Sequence, residues 1–176
     1  MYPYIRMFAQ LWTFRHASAL PMTGTHVSRH MCLPWDIDPW MELNNGRTLT
    51  LYDLGRIPMA IRMGFKQVAR DKGWGLTVAG NSTRYRRRVR MFDRFEMRST
   101  VIGWDDRFIY ISQSMWRGEE CTSQMLLRSA IVGKTGMVAP SEVLRALGQP
   151  EPSPPLPDWV QGWIAADAQR PWPPLA

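Results

Sequence analysis

Apolar positions change period twice along this chain, and the changes mark out its elements. Near the N-terminus Ile5, Phe8, Leu11 and Trp12 recur at helical spacing, so a short helix with one apolar face is expected between Tyr2 and Arg15. That face packs on the domain or a partner subunit, or else lies on a membrane surface, because amphipathicity alone does not separate these. After a Pro-Met-Thr-Gly break at 21–24, Thr25 to Leu33 reads as a first strand closed by Pro34. From Gly46 to about Lys72 the spacing of Leu49, Tyr52, Leu54 and Ile57, then Ile61, Phe65 and Val68, predicts a helix with a buried face. Pro58 lacks an N–H and is expected to split or kink it.

From Leu76 to Val132 the period falls to two. Phe95, Met97 and Val101 alternate with Glu96, Arg98 and Thr100. Beyond an Asp105-Asp106 turn, Ile109, Ile111 and Met115 alternate with Tyr110 and Ser112. Arg117 to Glu120 makes the next turn, and Cys121 to Val132 the last long strand. Sequential hairpins of this kind form an antiparallel meander without crossover helices. Helix and sheet are therefore segregated, which predicts an α+β domain. Pro140 to Leu147 reads as a short helix closed by Gly148. Gln149 to Pro157 holds five prolines in nine residues and is expected to be an extended connector. Trp159, Trp163 and Ile164 return to helical spacing, so Asp158 to Ala176 is either a docking tail or a disordered end. The expected division is thus an N-terminal helical extension at 1–23, one domain at 24–148, and a Pro-rich linker with a tail at 149–176.

The 176 residues suit one domain, and 45% hydrophobic content suffices for a single core. Lysine and arginine outnumber acids by 22 to 15, a net +7 that favours anionic partners: nucleic acid, a lipid surface or a phosphate-bearing ligand. Two cysteines, Cys32 and Cys121, are too few for a disulfide framework and carry no metal-ligand spacing, so a reducing cytoplasmic setting is the default. The histidines, His16, His26 and His30, all fall in the first thirty residues and suit neither a Ser-His-Asp triad nor a multi-histidine zinc site. They are expected to be structural or surface groups. No uncharged apolar run is long enough to cross a bilayer, and the N-terminus lacks a signal-peptide pattern, which leaves peripheral membrane contact open.

Candidate chemistry concentrates in Asp36 to Arg47, Asp-Ile-Asp-Pro-Trp-Met-Glu-Leu-Asn-Asn-Gly-Arg. A carboxylate just before a buried helix sits beside unpaired N–H groups and the positive end of the helix dipole. Such N–H groups can polarise a carbonyl and hold an oxyanion, while Asp38 attacks it or takes a proton from water. The same residues also suit plain capping, with Asn44 or Asn45 closing the helix start. A second concentration is Arg84 to Arg90, where a two-residue period puts Arg84, Arg86, Arg88 and Arg90 on one strand face and Tyr85, Arg87 and Val89 on the other. This row is a solvated or ion-paired face, a phosphate-binding wall, or a nucleic-acid surface. Against the last, the chain has no helix-turn-helix, zinc-finger or aromatic RNA-binding signature.

The order of strand, Asp-x-Asp-Pro-x-Met-x-x-Asn-Asn-Gly-Arg, long helix, Arg-Tyr-Arg-Arg-x-Val-Arg-x-x-Asp and meander resembles the hotdog-fold acyl-CoA thioesterases of the 4-hydroxybenzoyl-CoA thioesterase type, over roughly Gly24 to Val132. The resemblance implies a long helix wrapped by an antiparallel sheet, and a homodimer with acyl-CoA bound between subunits; the expected assembly is a homo-oligomer, dimer or tetramer. It implies that Asp38 is the catalytic carboxylate, with the thioester carbonyl near Asn45 and Gly46 at the helix start. Arg86, Arg87 and Arg88 are the expected holders of the coenzyme A phosphates, and no metal or redox cofactor is required. Many relatives carry histidine where this chain has Glu42, so Glu42 is either a second carboxylate for general-base work or a surface group at the mouth. A silent module that binds acyl-CoA or a partner protein is the alternative. Trp74, Gly75 and Gly80 are candidates to line the pocket from its other side.

Overall fold

The computed structural model describes residues 2–150 and 152–174. Strands β1 (Thr25–Met31), β2 (Gly75–Tyr85), β3 (Arg94–Trp104), β4 (Ile109–Arg117) and β5 (Glu120–Gly133) form one antiparallel sheet in the order β1-β3-β4-β5-β2, and a short β6 (Gly136–Val138) folds back on β5. β3, β4 and β5 follow one another as hairpins, as their alternation predicts. β1 and β2 occupy opposite edges, so the chain between them must cross the whole sheet. It does so as two helices, α1 being the earlier Tyr4–Thr13: α2 (Asn45–Arg62), which packs on β1 and β3, and α3 (Phe65–Lys72).

The inner sheet face follows the two-residue period. Phe95, Met97, Ser99 and Val101 of β3 and Ile109, Ile111, Gln113 and Met115 of β4 are buried against Leu51, Tyr52, Leu54 and Met59 of α2. Helix and sheet come closest at Gly55, where a Cβ would stand 2.6 Å from both Met97 Sδ and Ser99 Oγ. Only glycine permits that approach. Gln113 interrupts the apolar row without leaving a buried polar group unpaired. Its Nε2 donates to the Tyr52 carbonyl at 2.9 Å and to Ser99 Oγ at 2.8 Å, and its Oε1 accepts from Arg56 at 3.1 Å. Arg56 pairs in turn with Asp53. Buried polar groups are tolerated when partnered in this way.

Pro58 neither splits the helix nor ends it. α2 runs from Asn45 to Arg62, and the break falls at Gly64, whose φ of 88° turns the chain into α3. Proline removes one N–H from the helical ladder, and here the buried Leu54 and Met59 on either side anchor the helix to the sheet.

α4 (Pro140–Ala146) follows β6, and α5 (Asp158–Ala168) lies on the outer face of the sheet. Leu156, Val160, Trp163 and Ile164 pack there on Ile102, Phe108, Tyr110 and Leu126, a second apolar cluster separate from the main core. The approach to α5 crosses β3 at Gly103 (φ 152°), where Ser153 Oγ accepts the Trp104 N–H at 2.9 Å. Arg128 pins the helix through Asp167 at 2.7 Å, and its guanidinium lies 4.8 Å from the Phe108 ring and 5.1 Å from that of Trp163. Of the two fates open to the terminal piece, residues 158–168 take the docked one. No helix among the described residues is long and apolar enough to cross a membrane.

Candidate functional site

Past β1 the chain stays tied to the loop before β3: Cys32 N–H donates to Asp93 O at 2.9 Å, and Phe92 N–H to Cys32 O at 2.8 Å. A single 3-10 turn at Pro34–Asp36 then carries it across the end of α2. Asp36 is 1% exposed. Its Oδ2 accepts from Arg6 at 2.6 Å and from the Leu33 N–H at 3.0 Å, and its Oδ1 from Arg47 Nε at 2.7 Å. A buried carboxylate survives only with its oxygens satisfied. Asp36 is thus a clamp joining α1, the turn and the first turn of α2.

Asp38 stands differently. Its N–H donates to the Glu42 carbonyl at 2.9 Å, and its Oδ1 accepts the Trp40 N–H at 2.9 Å and the Glu42 N–H at 3.4 Å. Ile37 and Leu43 bridge beneath this loop, and Met41 takes a left-handed φ of 60° at its tip. The half-buried Asp38 side chain is thereby held by backbone donors through one oxygen.

Asp38 borders a cavity of about 500 Å³. One wall is Trp40, Glu42, Leu43, Asn44, Asn45 and Thr48; the other is Tyr85, Arg86, Arg87, Arg88, Val89 and Ser123. The Tyr85 hydroxyl joins the walls by donating to the Asn45 carbonyl at 3.3 Å. Of the two asparagines, Asn44 is the N-cap, its Oδ1 accepting the Arg47 N–H at 3.0 Å. Gly46 does not line the cavity, and its N–H donates to Asn45 Oδ1 at 2.7 Å. With the Gly46 and Arg47 donors engaged, the Asn45 N–H is the first-turn donor with no hydrogen bond among the described residues. Glu42 Oε2 lies 2.9 Å from Arg88 Nε, an ion pair that lacks hydrogen-bond geometry.

The arginine run is not a strand with two faces. β2 ends at Tyr85, and the Arg86 and Arg87 N–H groups both reach the Thr122 carbonyl, at 2.8 and 3.1 Å. The chain then leaves the sheet because Val89, the one aliphatic residue in 84–90, is drawn into the core at 5% exposure and accepts the Leu43 N–H at 2.8 Å. This departure brings Arg86, Arg87 and Arg88 onto one cavity wall, which strict alternation would have forbidden. Arg87 is paired with Glu120 at 2.6 Å.

Trp74, Gly75 and Gly80 do not line this cavity. Trp74 packs on Gly133 and borders a separate cavity with residues of α3 and α4, and Gly80 faces Arg128 and Trp163. Tyr85 and Ser123 are cavity residues that the sequence reading did not single out. Tyr85 carried a signal, an aromatic inside an arginine run. Ser123 carried none, since its role depends on pairing with Tyr52 Oη at 2.9 Å across the core. His26 and His30 are buried on the inner face of β1, where burial lowers their pKa values to about 4 and about 3. Among the described residues no cluster of His, Cys, Asp and Glu could hold a metal ion.

Residues 32–164 match the family model described as the thioesterase-like superfamily. The chain is 28% identical to Protein THEM6 of Xenopus laevis over 142 residues, 79% of this chain and 67% of the relative. To Protein THEM6 of Drosophila melanogaster it is 26% identical over 148 residues, 82% of this chain and 75% of that one. Among solved structures, a 1,4-dihydroxy-2-naphthoyl-CoA thioesterase from Synechocystis superposes with a TM-score of 0.61 at 8% identity, covering 70% of this chain and 95% of its own. A DHNA-CoA thioesterase from Staphylococcus aureus gives 0.61 at 9% identity, with 82% and 91% covered. At such identities these structures attest the shared fold, a helix wrapped by a curled antiparallel sheet. Since the family match spans most of the chain and the fold agrees with it, this protein belongs to the thioesterase-like superfamily and has the hotdog fold.

Proposed function

We propose that this protein hydrolyses an acyl-CoA thioester in the cavity beside the N-terminus of α2. The observation that carries the reading is the placement of Asp38, a half-buried carboxylate fixed by backbone donors at the rim of a cavity whose far wall is arginine-rich. The thioester carbonyl is polarised by the Asn45 N–H and the positive end of α2. Asp38 either takes a proton from water, whose oxygen attacks the carbonyl carbon, and passes that proton to the departing coenzyme A thiolate, or itself attacks to give an Asp38 acyl anhydride and the thiolate. In the second case water then hydrolyses the anhydride, freeing Asp38 and supplying the thiolate's proton. Arg86 is the arginine of the wall with no ion-pair partner among the described residues, and it suits a phosphate of coenzyme A; Arg87 and Arg88 add positive field.

The edge of β2 is left open by the sheet order, and Leu76 and Val78 are 39% and 48% exposed. Exposed edge strands invite pairing. A homodimer joined along β2 is the assembly this edge supports, and the mass of the chain in solution tests it.

The direct test is turnover of an acyl-CoA panel, followed by thiol release. Asp38→Asn keeps the shape and removes the charge, and about a 100-fold or greater loss of kcat is expected with KM little changed. Full activity in this variant would dismiss Asp38. A second reading, a module that binds acyl-CoA without cleaving it, is favoured by one feature: Glu42, where many relatives carry histidine, forms an ion pair with Arg88. Tight coenzyme A binding with no turnover of any substrate would select that reading.

A further inference from the structure

Helix α1 is apolar on both sides, with Met7 and Leu11 packed on the core. Its inward side carries Met7 and also Arg6, spent on the buried Asp36. Its outward stripe is Tyr4, Ile5, Phe8, Ala9, Trp12 and Thr13, without a charged residue. Tyr4, Ile5, Phe8 and Trp12 are 63%, 87%, 67% and 66% exposed. Packing of α1 on α2 therefore buries Met7 and half-buries Leu11 but leaves Tyr4, Ile5, Phe8 and Trp12 outside.

The carboxylates that reach α1, Asp36 and Asp53, are paired with Arg6 and Arg56, and the exposed charges at its C-terminal end are cationic. No aspartate or glutamate occurs before Asp36. At the C-terminal end of the stripe the Arg15 guanidinium stacks 3.5 Å from the centroid of the Trp12 ring, and the exposed Lys66 of α3 stands nearby, sharing a surface hollow with Arg15 and Arg62. Aromatic rings flanked by cations suit the boundary between headgroups and acyl chains. An anionic lipid surface also supplies the counter-charge. A second copy of this chain apposed through the same N-terminal segment brings no carboxylate from residues 1–35 and carries the same net +7.

We infer that α1 is a peripheral membrane anchor that lays Ile5, Phe8 and Trp12 into an anionic phospholipid surface. The opposite end of α1 lies toward the candidate site: Tyr2 and Trp35 line a hollow with Asn44, the N-cap residue that also borders the Asp38 cavity. Docking holds the start of α2 near the surface where long-chain acyl groups partition. The docking itself stands apart from hydrolysis and is measured without it.

Sedimentation of the full chain with vesicles tests the inference, comparing phosphatidylcholine alone with phosphatidylcholine containing phosphatidylglycerol. Binding is expected only to the anionic vesicles and weakens with salt. Phe8→Ser/Trp12→Ser is expected to partition at least about ten-fold less, and Arg15→Glu to lose preference for the anionic vesicles. These side chains are exposed, so unfolding midpoints should match wild type and show that the variants are folded. The inference is overturned if the chain ignores anionic vesicles at low salt, or if Phe8→Ser/Trp12→Ser binds as well as wild type. It is equally overturned if that variant lowers the solution mass in the absence of lipid, which would identify a second copy as the occupant of the stripe.

Discussion

Asp36 and Asp38 are the same residue type two positions apart, and burial gives them opposite fates. Asp36→Ala leaves Arg6 and Arg47 facing an empty acceptor position, and is expected to lower stability by about 3–5 kcal/mol. Asp38→Ala removes only a turn acceptor and is expected to lower it by about 1 kcal/mol. Urea unfolding of the two variants checks the contrast, and similar losses would contradict it. The sequence did not show that Asp36 is buried, and the resemblance implied only a role for Asp38, because the partner of Asp36 is Arg6, thirty residues upstream. No local pattern encodes such a contact. The histidines make a second prediction at this scale. Burial holds His26 at a pKa of about 4 and His30 at about 3, below the ordinary value near 6.5 that the unfolded chain retains. Between those values the unfolded chain binds protons that the native chain refuses. Stability is therefore fully present above the unfolded value and falls as acid is added, by about 3 kcal/mol for the two groups between about pH 6.5 and 5. Most carboxylates stay ionised over that interval, so the imidazoles set the slope. A urea midpoint that is the same at both pH values would show that they are not held neutral. Replacing both with glutamine should flatten the dependence.

At the scale of elements, the meander and the central helix were plain from periodicity, and their points of contact were not. Alternation put Ile109, Ile111 and Met115 on the core side of β4 and could not say that Gln113 between them is equally buried, because its partners come from α2 and β3. The arginine run failed for a related reason: alternation holds only while a chain stays in a sheet, and Val89 leaves it to fill the core. Pro58 suggested a break that Gly64 supplies, since the anchored faces of α2 outweigh one missing hydrogen bond. Gly55 shows how tightly that helix is set. Gly55→Ala favours the helix by propensity, yet its Cβ would meet Met97 Sδ and Ser99 Oγ at 2.6 Å. Overpacking is expected to win, with a net loss of about 1–3 kcal/mol. Thermal unfolding measures it, and a variant as stable as wild type or more so would mean that the helix can lift from the sheet without loss.

Over the whole molecule, the sheet is covered on both faces by different means. α2 fills the inner face, while α5, reached through a proline-rich strap, closes the outer one. The strap was legible from composition, but docking of the helix beyond it was not, because its target is assembled from three strands: Ile102 of β3, Tyr110 of β4 and Leu126 of β5. Tyr110 and Leu126 are 0% and 2% exposed, although they point away from the main core, so α5 accounts for their burial. Val160, itself 0% exposed, is the centre of this contact. Val160→Asp places a carboxylate there with no cation assigned to it, because Arg128 already holds Asp167. Burying a charge without a partner costs more than undocking a short helix, so α5 is expected to come away from the sheet. Two results follow from the apolar face then laid open. The unfolding midpoint falls, and the chain self-associates beyond its wild-type mass in analytical ultracentrifugation. Val160→Leu, which keeps the contact apolar, should do neither. If Val160→Asp retains both the wild-type mass and midpoint, the outer face does not depend on α5 for its cover.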